Sequence, residues 1–276
     1  MAIPRTTALR TIIPIDDPDD PRIAAYRNIR EADLVGRQGQ FIAEGEVVLR
    51  MLLAQTRHRP ASVLIAEKRI ERLTPMLAAA PQDMPIYAAG QAVLDAIVGF
   101  HIHRGILALA HRAPEPDLQA LLGALPARAL VLGLFGIANH DNMGGLLRNA
   151  AAFGANVVLL DPHCCDPLYR KAIRVSVGGA LVVPLARLSP EIDPIDLLRP
   201  LGFECLALSP RGETRLIDLR RADRAALLLG AEGPGLSDEM IRRAHGVRIP
   251  MNSGFDSLNV ATTAGIALHQ LAFGAD

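Results

Sequence analysis

Short apolar runs alternate along the first half of the chain with segments whose apolar residues recur at helical spacing. The apolar runs at 40–44, 62–66 and 105–110 predict β-strands, and the apolar face of 47–54 predicts a helix between the first two. The segment 14–21 is rich in Pro and Asp, so it predicts an extended lead-in to this region.

The second half of the chain continues the alternation. Apolar runs predict six strands, at 129–135, 156–160, 181–183, 203–208, 225–229 and 247–249. Helical spacing predicts three helices, at 118–124, 143–153 and 257–273. Because strands that alternate with helices form mostly parallel sheets covered on both faces, we expect an α/β protein.

The segment 113–117 is the predicted boundary between two domains, because its two prolines disfavour both helix and sheet pairing. We expect a lead-in at 1–21 and a smaller N-terminal α/β domain at 22–112. A linker at 113–125 and a larger C-terminal domain at 126–276 follow. A chain of 276 residues is long enough for two domains of roughly 100–200 residues each.

Composition limits what the cores contain and what the surface binds. Half of the residues are apolar, but Trp is absent and aromatic residues are few, so Leu, Ile, Val and Ala must fill the cores. The 29 basic residues balance the 29 acidic residues, whereas a strongly basic chain would indicate a nucleic-acid partner. From Arg22 to Arg72, ten Lys or Arg residues stand against six Asp or Glu residues. This excess indicates either an RNA-binding surface or an ordinary solvated face.

The cysteines and the apolar runs predict a cytoplasmic protein without a metal site. Cys164, Cys165 and Cys205 have the spacing of neither a zinc site nor a disulfide framework, so free thiols in a reducing compartment are expected. No signal peptide is evident at the start, and no apolar run approaches the roughly 20 residues of a membrane-spanning helix. Neither G-x-G-x-x-G at the first strand–helix turn nor G-x-x-x-x-G-K-[ST] occurs, which argues against nicotinamide and nucleoside-triphosphate chemistry.

The loop at 139–150 follows the carboxyl end of a predicted parallel strand, where ligands bind in α/β sheets. Its ordinary interpretation is a helix start, capped by Asp141 or Asn142, with Gly154 ending the helix in a left-handed conformation. The glycine pair at 144–145 is not explained in this way, because each glycine destabilises a helical turn by about 1 kcal/mol relative to Ala. The pair indicates that another group approaches the backbone closely.

The loop at 230–237 follows another predicted strand and has three glycines and a proline in six residues. Such a loop is poor in side chains, so its backbone groups can face a ligand. Ser237 is predicted to cap the next helix, with Asp238 and Glu239 favourably placed in its first turn. Glu232 is either a polar contact to a ligand or a solvated loop residue.

The segment 249–260 follows the last predicted strand. Its apolar arm, Ile-Pro-Met at 249–251, can form a wall for a flat aromatic or thioether ligand. Ser257 and Asn259 stand at the start of the last helix. They are either a cap and an ordinary first-turn residue or polar groups of a site.

The order and spacing of these three loops resemble motifs one, two and three of the TrmH-type RNA methyltransferases, also called SpoU, of the SPOUT family. The resemblance covers residues 128–273. The matching residues are Asn142-Met143-Gly144 with Arg148 and Phe153-Gly154, then Gly230-Ala231-Glu232-Gly233-Pro234-Gly235-Leu236-Ser237, then Ile249-Pro250-Met251 with Ser257-Leu258-Asn259-Val260. The chain departs from the commonest form of motif one by having His140-Asp141 where Asn-Pro is frequent.

The resemblance implies a fold, a cofactor and a reaction. The fold is a SPOUT α/β domain with a mostly parallel sheet and a deep C-terminal trefoil knot, which periodicity alone would not predict because knots are nearly absent from proteins. The cofactor is S-adenosylmethionine in a bent form, and the reaction is methyl transfer to a ribose 2′-hydroxyl of tRNA or rRNA. Family members work as homodimers with the site near the subunit interface.

The resemblance also implies roles for individual residues. The implied cofactor-binding residues are Gly230, Gly233, Ile249, Met251 and Leu258. The implied catalytic residues are Arg148, Asn142, Glu232, Ser257 and Asn259. A guanidinium essentially never loses its proton in a protein, so Arg148 is better suited to hold an RNA phosphate or a ribose oxygen than to act as a base.

The N-terminal half resembles the family's substrate-binding domain, which is similar to ribosomal protein L30e. The segment 41–45 with the helix after it matches the centre of that domain, and 104–108 matches its last strand. The expected RNA-contacting residues are Arg22, Arg27, Arg30 and Arg37, before the first strand of the domain, or Arg170 and Arg174 in the C-terminal domain.

Two other functions fit parts of the sequence. One is a non-catalytic RNA-binding protein that keeps the SPOUT fold. The intact polar residues of the three motifs argue against it, and a cofactor titration distinguishes the two. The other is an unrelated α/β nucleotide enzyme, against which the missing phosphate-binding loop argues.

Overall fold

Two sheets organise the part of the chain that the computed structural model describes, namely residues 11–27, 34–99, 104–252 and 257–274. The chain divides into two compact units. The first holds the described residues up to 113 together with 168–174, and the second holds 114–167 and the described residues from 175 onward. None of the described helices has the length and apolar character needed to cross a membrane.

The first unit contains a mixed sheet of five strands. These are β1 (Ile12–Ile15), β2 (Gln40–Glu44), β3 (Arg59–Ala66), β4 (Ile86–Ala89) and β5 (Ile106–His111). Their order is β1-β4-β3-β5-β2, and β5 runs antiparallel to both of its neighbours. The helices are α1 (Glu46–Ala54), α2 (Ile70–Ala78) and α3 (Gln91–Val98). The strands and the helix predicted in this half are confirmed, with small shifts at their ends.

The lead-in rich in Pro and Asp contributes a strand to this sheet. Ile12–Ile15 pairs with β4 in parallel register at the edge of the sheet. Pro14 obscures this strand in the sequence, because proline is compatible only with edge strands or bulges. Asp20 then caps the 3-10 turn Pro21–Tyr26 by accepting a hydrogen bond from the backbone N–H of Arg22 at 2.8 Å.

The second unit contains seven strands, and all of their pairings are parallel. They are β6 (Ala129–Phe135), β7 (Val157–Leu160), β8 (Leu185–Arg187), β9 (Glu204–Leu208), β10 (Thr214–Arg215), β11 (Arg224–Gly230) and β12 (His245–Arg248). The helices are α4 (Leu118–Gly123), α5 (His140–Ala152), α7 (Gly179–Val182), α8 (Pro194–Leu198), α9 (Asp238–Arg243) and α10 (Val260–Phe273), while α6 (Arg170–Val175) lies mostly in the first unit. The predicted α/β class with a mostly parallel sheet is confirmed. The trefoil knot stays a prediction.

The strand predicted at 181–183 is wrong. Leu181 and Val182 end the short helix α7, Val183 follows it in extended conformation, and the strand of this region is β8, after Pro184. The helix is buried, and a Cβ at Gly179 would lie only 2.7 Å from the carbonyl oxygen of Leu147 on α5. An apolar run of three residues is too short to show a period, so the sequence cannot distinguish a helix from a strand there.

The topology brings four loops to one edge of the parallel sheet. Strands β6 and β11 are neighbours at its centre, β7 and β8 continue on one side, and β9, β12 and β10 continue on the other. The loops after β6, β9, β11 and β12 therefore leave from the carboxyl ends of nearby strands. A core dominated by Leu, Ile, Val and Ala, as expected, fixes these strands, and Val131, Leu159 and Leu228 are fully buried in it.

Candidate active site

A pocket of about 470 Å³ opens at this edge of the second unit. Its apolar wall is formed by Leu208, Leu229, Ile249, Met251 and Val260. The glycine-rich loop after β11 and the three residues Ser257, Leu258 and Asn259 also line it. All five residues expected to bind the cofactor are thus at one pocket, whose size is typical of small-molecule sites.

One side chain connects the three motifs. The amide nitrogen of Asn259 donates to Oδ1 of Asn142 at 2.8 Å and to Oε1 of Glu232 at 3.0 Å. Its amide oxygen accepts from the backbone N–H groups of Ala261 and Thr262 at 3.0 and 3.2 Å, which makes Asn259 the N-cap of α10. Because the cap requires the oxygen, the nitrogen is fixed toward the two acceptors.

The helix caps differ from the sequence predictions in a way that matters for the site. Asn139, and not Asp141 or Asn142, caps α5, because its side chain accepts from the N–H groups of both of these residues. The side chain of Asn142 is therefore available to Asn259. Ser257 is not a cap either, since α10 begins after Asn259. The left-handed conformation of Gly154 at the end of α5 is confirmed, with a φ of 70°.

The glycine pair of motif one permits two helices to pack closely. A Cβ at Gly145 would lie 2.7 Å from the Cβ of Ala261 on α10. On the same side, Asn149 donates to the carbonyl oxygen of Ala261 at 2.6 Å, next to Gly265. The close approach predicted from the glycines therefore comes at Gly145 from the last helix.

The loop of motif two folds back on itself. A Cβ at Gly230 would overlap the backbone of Gly235, whose N–H donates to the carbonyl oxygen of Ala231 at 3.0 Å. Gly233 and Gly235 have φ values of 93° and 68°, which side chains rarely adopt. The predicted cap is confirmed, because the Ser237 hydroxyl accepts from the N–H of Met240 at 3.2 Å. The fold of this loop therefore requires glycine at these three positions, independently of any ligand.

A fourth loop lines the pocket, and neither this loop nor the arginine that holds it was predicted from the sequence. Ser209 and Pro210, directly after β9, line the pocket. Arg248 donates from Nη1 to the carbonyl oxygens of Gly212 and Glu213, each at 2.6 Å. Because Arg248 immediately precedes the apolar arm at 249–251, it joins two segments of the pocket wall. The Ser-Pro-Arg-Gly turn after a predicted strand was the available signal.

The structure does not bring Arg148 into this network. Its side chain is exposed on α5 and does not line the pocket. It makes no hydrogen bond or ion pair within the described part of the chain. Asn142, Glu232 and Asn259 are therefore brought together, Ser257 lies at the pocket, and the catalytic roles of all five residues stay predictions.

Two of the arginines expected to contact RNA are bound to carboxylates of the lead-in. Arg22 donates from Nε and Nη2 to the Asp20 carboxylate at 2.5–3.0 Å, and these bonds lower the pKa of Asp20 to about 2. Arg27 donates to the Asp19 carboxylate at 2.8 Å and to two backbone carbonyl oxygens nearby. Their charges are therefore largely compensated locally.

The other expected RNA contacts are less defined. Arg30 lies outside the described residues, and of Arg37 only the backbone is described, in the turn Leu34–Gln38. Arg170 and Arg174 lie on α6, where Arg174 is exposed.

The thiols do not supply a nucleophile. Burial raises the pKa of Cys164 to about 12 and those of Cys165 and Cys205 to about 11. Because the thiolate is the reactive form, these groups stay protonated at neutral pH. Among the described residues, no group of three or more His, Cys, Asp or Glu side chains could hold a metal ion.

Known structures share this fold. A structure described as an AdoMet-bound rRNA methyltransferase from Sinorhizobium meliloti superposes with a TM-score of 0.79 at 21% identity, over 94% of this chain and 97% of that one. A structure described as an RNA 2′-O ribose methyltransferase superposes with a TM-score of 0.76 at 25% identity, over 94% and 98% of the two chains.

Proteins related in sequence are also described as RNA methyltransferases. Proteins described as uncharacterized tRNA/rRNA methyltransferases of Mycobacterium bovis and Mycobacterium tuberculosis are 39% identical over 263 residues, which is 92% of this chain and 89% of theirs. The SpoU rRNA Methylase family model matches residues 129–269, the region that carries the pocket and all three motifs. The chain therefore belongs to the SpoU rRNA methylase family of RNA methyltransferases.

Proposed function

We propose that this protein transfers a methyl group from S-adenosylmethionine to a ribose 2′-hydroxyl of tRNA or rRNA. The observation that carries the proposal is Asn259, which holds Asn142 and Glu232 together beside a pocket lined by the glycine-rich loop and the apolar arm. Each of the three residues comes from a different motif. The arrangement thus combines a ligand pocket with a fixed set of polar groups at its edge.

The pocket fits the cofactor in size and in chemistry. About 470 Å³ lies within the range of roughly 300–1,000 Å³ that is usual for such ligands. Ile249, Met251 and Leu258 offer apolar surface for an adenine ring and a thioether chain. The backbone groups of Gly230 and Gly233 supply polar contacts without bulky side chains. The solved S. meliloti protein with bound AdoMet and the solved RNA 2′-O ribose methyltransferase support this assignment.

The cofactor supplies an electrophilic methyl group on a sulfonium. The reaction forms an oxygen–carbon bond, breaks a sulfur–carbon bond and releases the hydroxyl proton, so the chain must align the 2′-oxygen with the methyl group. We assign Arg148 to hold an RNA phosphate or the ribose oxygen, because its guanidinium stays charged and presents paired donors. Glu232 is the ionisable side chain among the described lining residues, and we assign it to accept the proton.

We also propose that the protein acts as a homodimer in the cytoplasm, where tRNA and rRNA are found. Two large apolar side chains of α10 support the dimer: Ile266 is 42% exposed and Phe273 is 67% exposed. Apolar surface of this kind on a helix is often covered by a partner. Light scattering of the purified protein measures the molar mass, and a value near 29.6 kDa would contradict the dimer.

The experiment that tests the proposed reaction has two stages. Calorimetry first measures binding of S-adenosylmethionine to the full chain. The protein is then incubated with unmodified tRNA and rRNA and with methyl-labelled cofactor, and nucleosides from the digested RNA are analysed by mass spectrometry. We expect label in a 2′-O-methylnucleoside.

Three results would contradict parts of the proposal. Label in a base-methylated nucleoside would retain methyl transfer but reject the ribose target. Cofactor binding without any transfer to either RNA class would reject both substrates. Absence of cofactor binding would favour a non-catalytic RNA-binding protein.

A further inference from the structure

The sheet of the first unit has two edges that differ in charge. Strands β1, β2, β3 and β4 run in one direction and β5 runs in the other. The ends of the first four strands therefore share one edge with the start of β5, here called the acidic edge. Their starts share the opposite edge with the end of β5, here called the basic edge.

Carboxylates collect at the acidic edge. Seven of them stand at or just after the strand ends: Asp16, Asp17, Asp19, Asp20, Glu44, Glu46 and Glu67. Seven basic residues stand near them: Arg22, Arg27, Arg50, Lys68, Arg69, Arg72 and Arg104. Four of these pair with the carboxylates: Arg22 with Asp20, Arg27 with Asp19, and Arg50 and Arg72 with Glu46. This edge is therefore a poor surface for a polyanion.

Basic side chains collect at the opposite edge. Arg59, the first residue of β3, is in register with His111, the last residue of β5. Arg57 lies two residues before β3, and Arg112 follows β5, where its N–H donates to the carbonyl oxygen of Gly39 at 2.7 Å. The edge therefore gathers three arginines and a histidine from neighbouring strand ends.

At this edge, the carboxylate of Asp83 pairs with Arg59. Asp83 lies 3.4 Å from Arg59, and both side chains are about three-quarters exposed, at 73% and 76%. An exposed pair of this length is weak, because solvent screens it and both side chains stay mobile. By contrast, Asp20 is only 14% exposed in its pair with Arg22. Arg59 can therefore exchange its partner for a phosphate far more easily than Arg22 can.

Arginines of the basic edge lower the pKa of a buried histidine. His58 is 5% exposed, between Arg57 and Arg59 in sequence. Its pKa is lowered to about 4, first by burial and then by the charges of Arg57 and Arg112. The positive charges of two arginines from different strand ends thus act on the same buried position.

We propose that the basic edge, defined by Arg57, Arg59, His111 and Arg112, binds phosphates of the RNA substrate. This inference rests on RNA being the substrate of the proposed reaction, and it places the contact away from Arg22 and Arg27. Arginines suit phosphates because the guanidinium stays charged and can donate two parallel hydrogen bonds. The exposed imidazole of His111 adds a further donor or acceptor in the same row.

The salt dependence of RNA binding tests this proposal on the full chain. The probe is labelled bulk tRNA, and filter binding measures its association constant between low and high KCl concentrations. Each lost phosphate contact removes about 0.7–0.9 from the slope of log K against log salt. The triple variant Arg57→Gln, Arg59→Gln, Arg112→Gln should therefore lower the magnitude of the slope by about 2–3. Arg59→Glu, at an exposed position, provides a second test that leaves Arg57 and Arg112 intact.

The double variant Arg22→Gln, Arg27→Gln is the matched control. Its slope should equal that of the wild type, because Arg22 pairs with the partly buried Asp20 and Arg27 is also held by two backbone carbonyl oxygens. The proposal is overturned if the triple variant and Arg59→Glu, with normal melting temperatures, keep the wild-type slope, or if the control loses as much. Cofactor affinity of the same proteins separates the two hypotheses. An unchanged slope with intact cofactor binding and methyl transfer rejects the basic edge alone, whereas a wild type without methyl transfer rejects the proposed reaction.

Discussion

Asn259 donates a hydrogen bond to Glu232 at 3.0 Å while its amide oxygen caps the last helix. The same side chain therefore caps a helix and holds the polar groups of the site, and substitutions can separate these two roles. Aspartate keeps the capping oxygen but loses the donor and places a second carboxylate beside Glu232. Alanine loses both functions.

We expect Asn259→Asp to reduce methyl transfer roughly 100-fold, since small displacements of positioned groups have effects of this order. Its melting temperature should stay close to that of the wild type, whereas Asn259→Ala should also lose about 1 kcal/mol from the missing cap. Single-turnover methyl transfer and thermal unfolding measure the two effects. Asn139→Asp is the matched control, because it keeps a cap and its amide is outside the network. Equal losses in both Asp variants would show that the charge, and not the network, is responsible.

Gly230 offers a test of the pocket wall. Because a Cβ there overlaps the backbone of Gly235, Gly230→Ala should push the loop of motif two out of place. We expect cofactor affinity, measured by calorimetry, to fall at least about tenfold, a change of about 1.4 kcal/mol. Gly123→Ala on α4 is the control, because no atom lies near its added Cβ. Normal affinity in Gly230→Ala would mean that this loop does not hold the cofactor.

The sequence predicted the site at the level of loops and not of contacts. Strand periodicity located all three motif loops. Ligands of parallel α/β sheets bind beyond the carboxyl ends of the strands, and each of these loops follows such an end. Asn142 and Asn259, however, are 117 residues apart, and no local pattern specifies that their side chains meet. The same holds for Arg248, whose partners are backbone carbonyl oxygens of a distant loop.

The N-terminal arginines show a different limit. A charge count that begins at Arg22 omits the four aspartates at 16–20, two of which pair with Arg22 and Arg27. Local excess charge is informative only when the nearest counter-charges are included. The edge to which a strand end belongs depends on strand direction, which the sequence does not state for β5.

His58 should make the stability of the first unit depend on pH. Its Nδ1 accepts from the N–H of Ala113 at 3.1 Å, and its pKa falls from 6.5 to about 4 in the folded protein. Because the folded pKa is lowered, the unfolded chain binds more protons between these values. Stability therefore decreases as pH falls from about 6.5 to 4, by up to about 3 kcal/mol.

Urea unfolding at pH 7 and at pH 4.5 measures this contribution. The wild type should lose more stability between the two pH values than His58→Gln, which retains an acceptor for Ala113 but does not titrate. The exposed His163→Gln should behave as the wild type does. A loss of the same size in His58→Gln and the wild type would contradict the role of His58.

Arg148 gives the sharpest test of the mechanism, because it is the motif-one cation and its side chain makes no hydrogen bond or ion pair within the described part of the chain. Substitution should therefore leave the melting temperature unchanged. If it holds phosphate or ribose oxygen through two parallel bonds, Arg148→Lys should lose much of the rate although it keeps the charge. Arg148→Ala should lose on the order of 10²–10³ in turnover, the usual effect of removing a charged donor from a transition state.

Both Arg148 variants should bind the cofactor normally, because Arg148 does not line the pocket. Arg220→Ala, an exposed arginine outside the site, is the control in single-turnover assays. Near-normal transfer by Arg148→Ala would exclude Arg148 from catalysis and leave the alignment of the ribose to the network around Asn259.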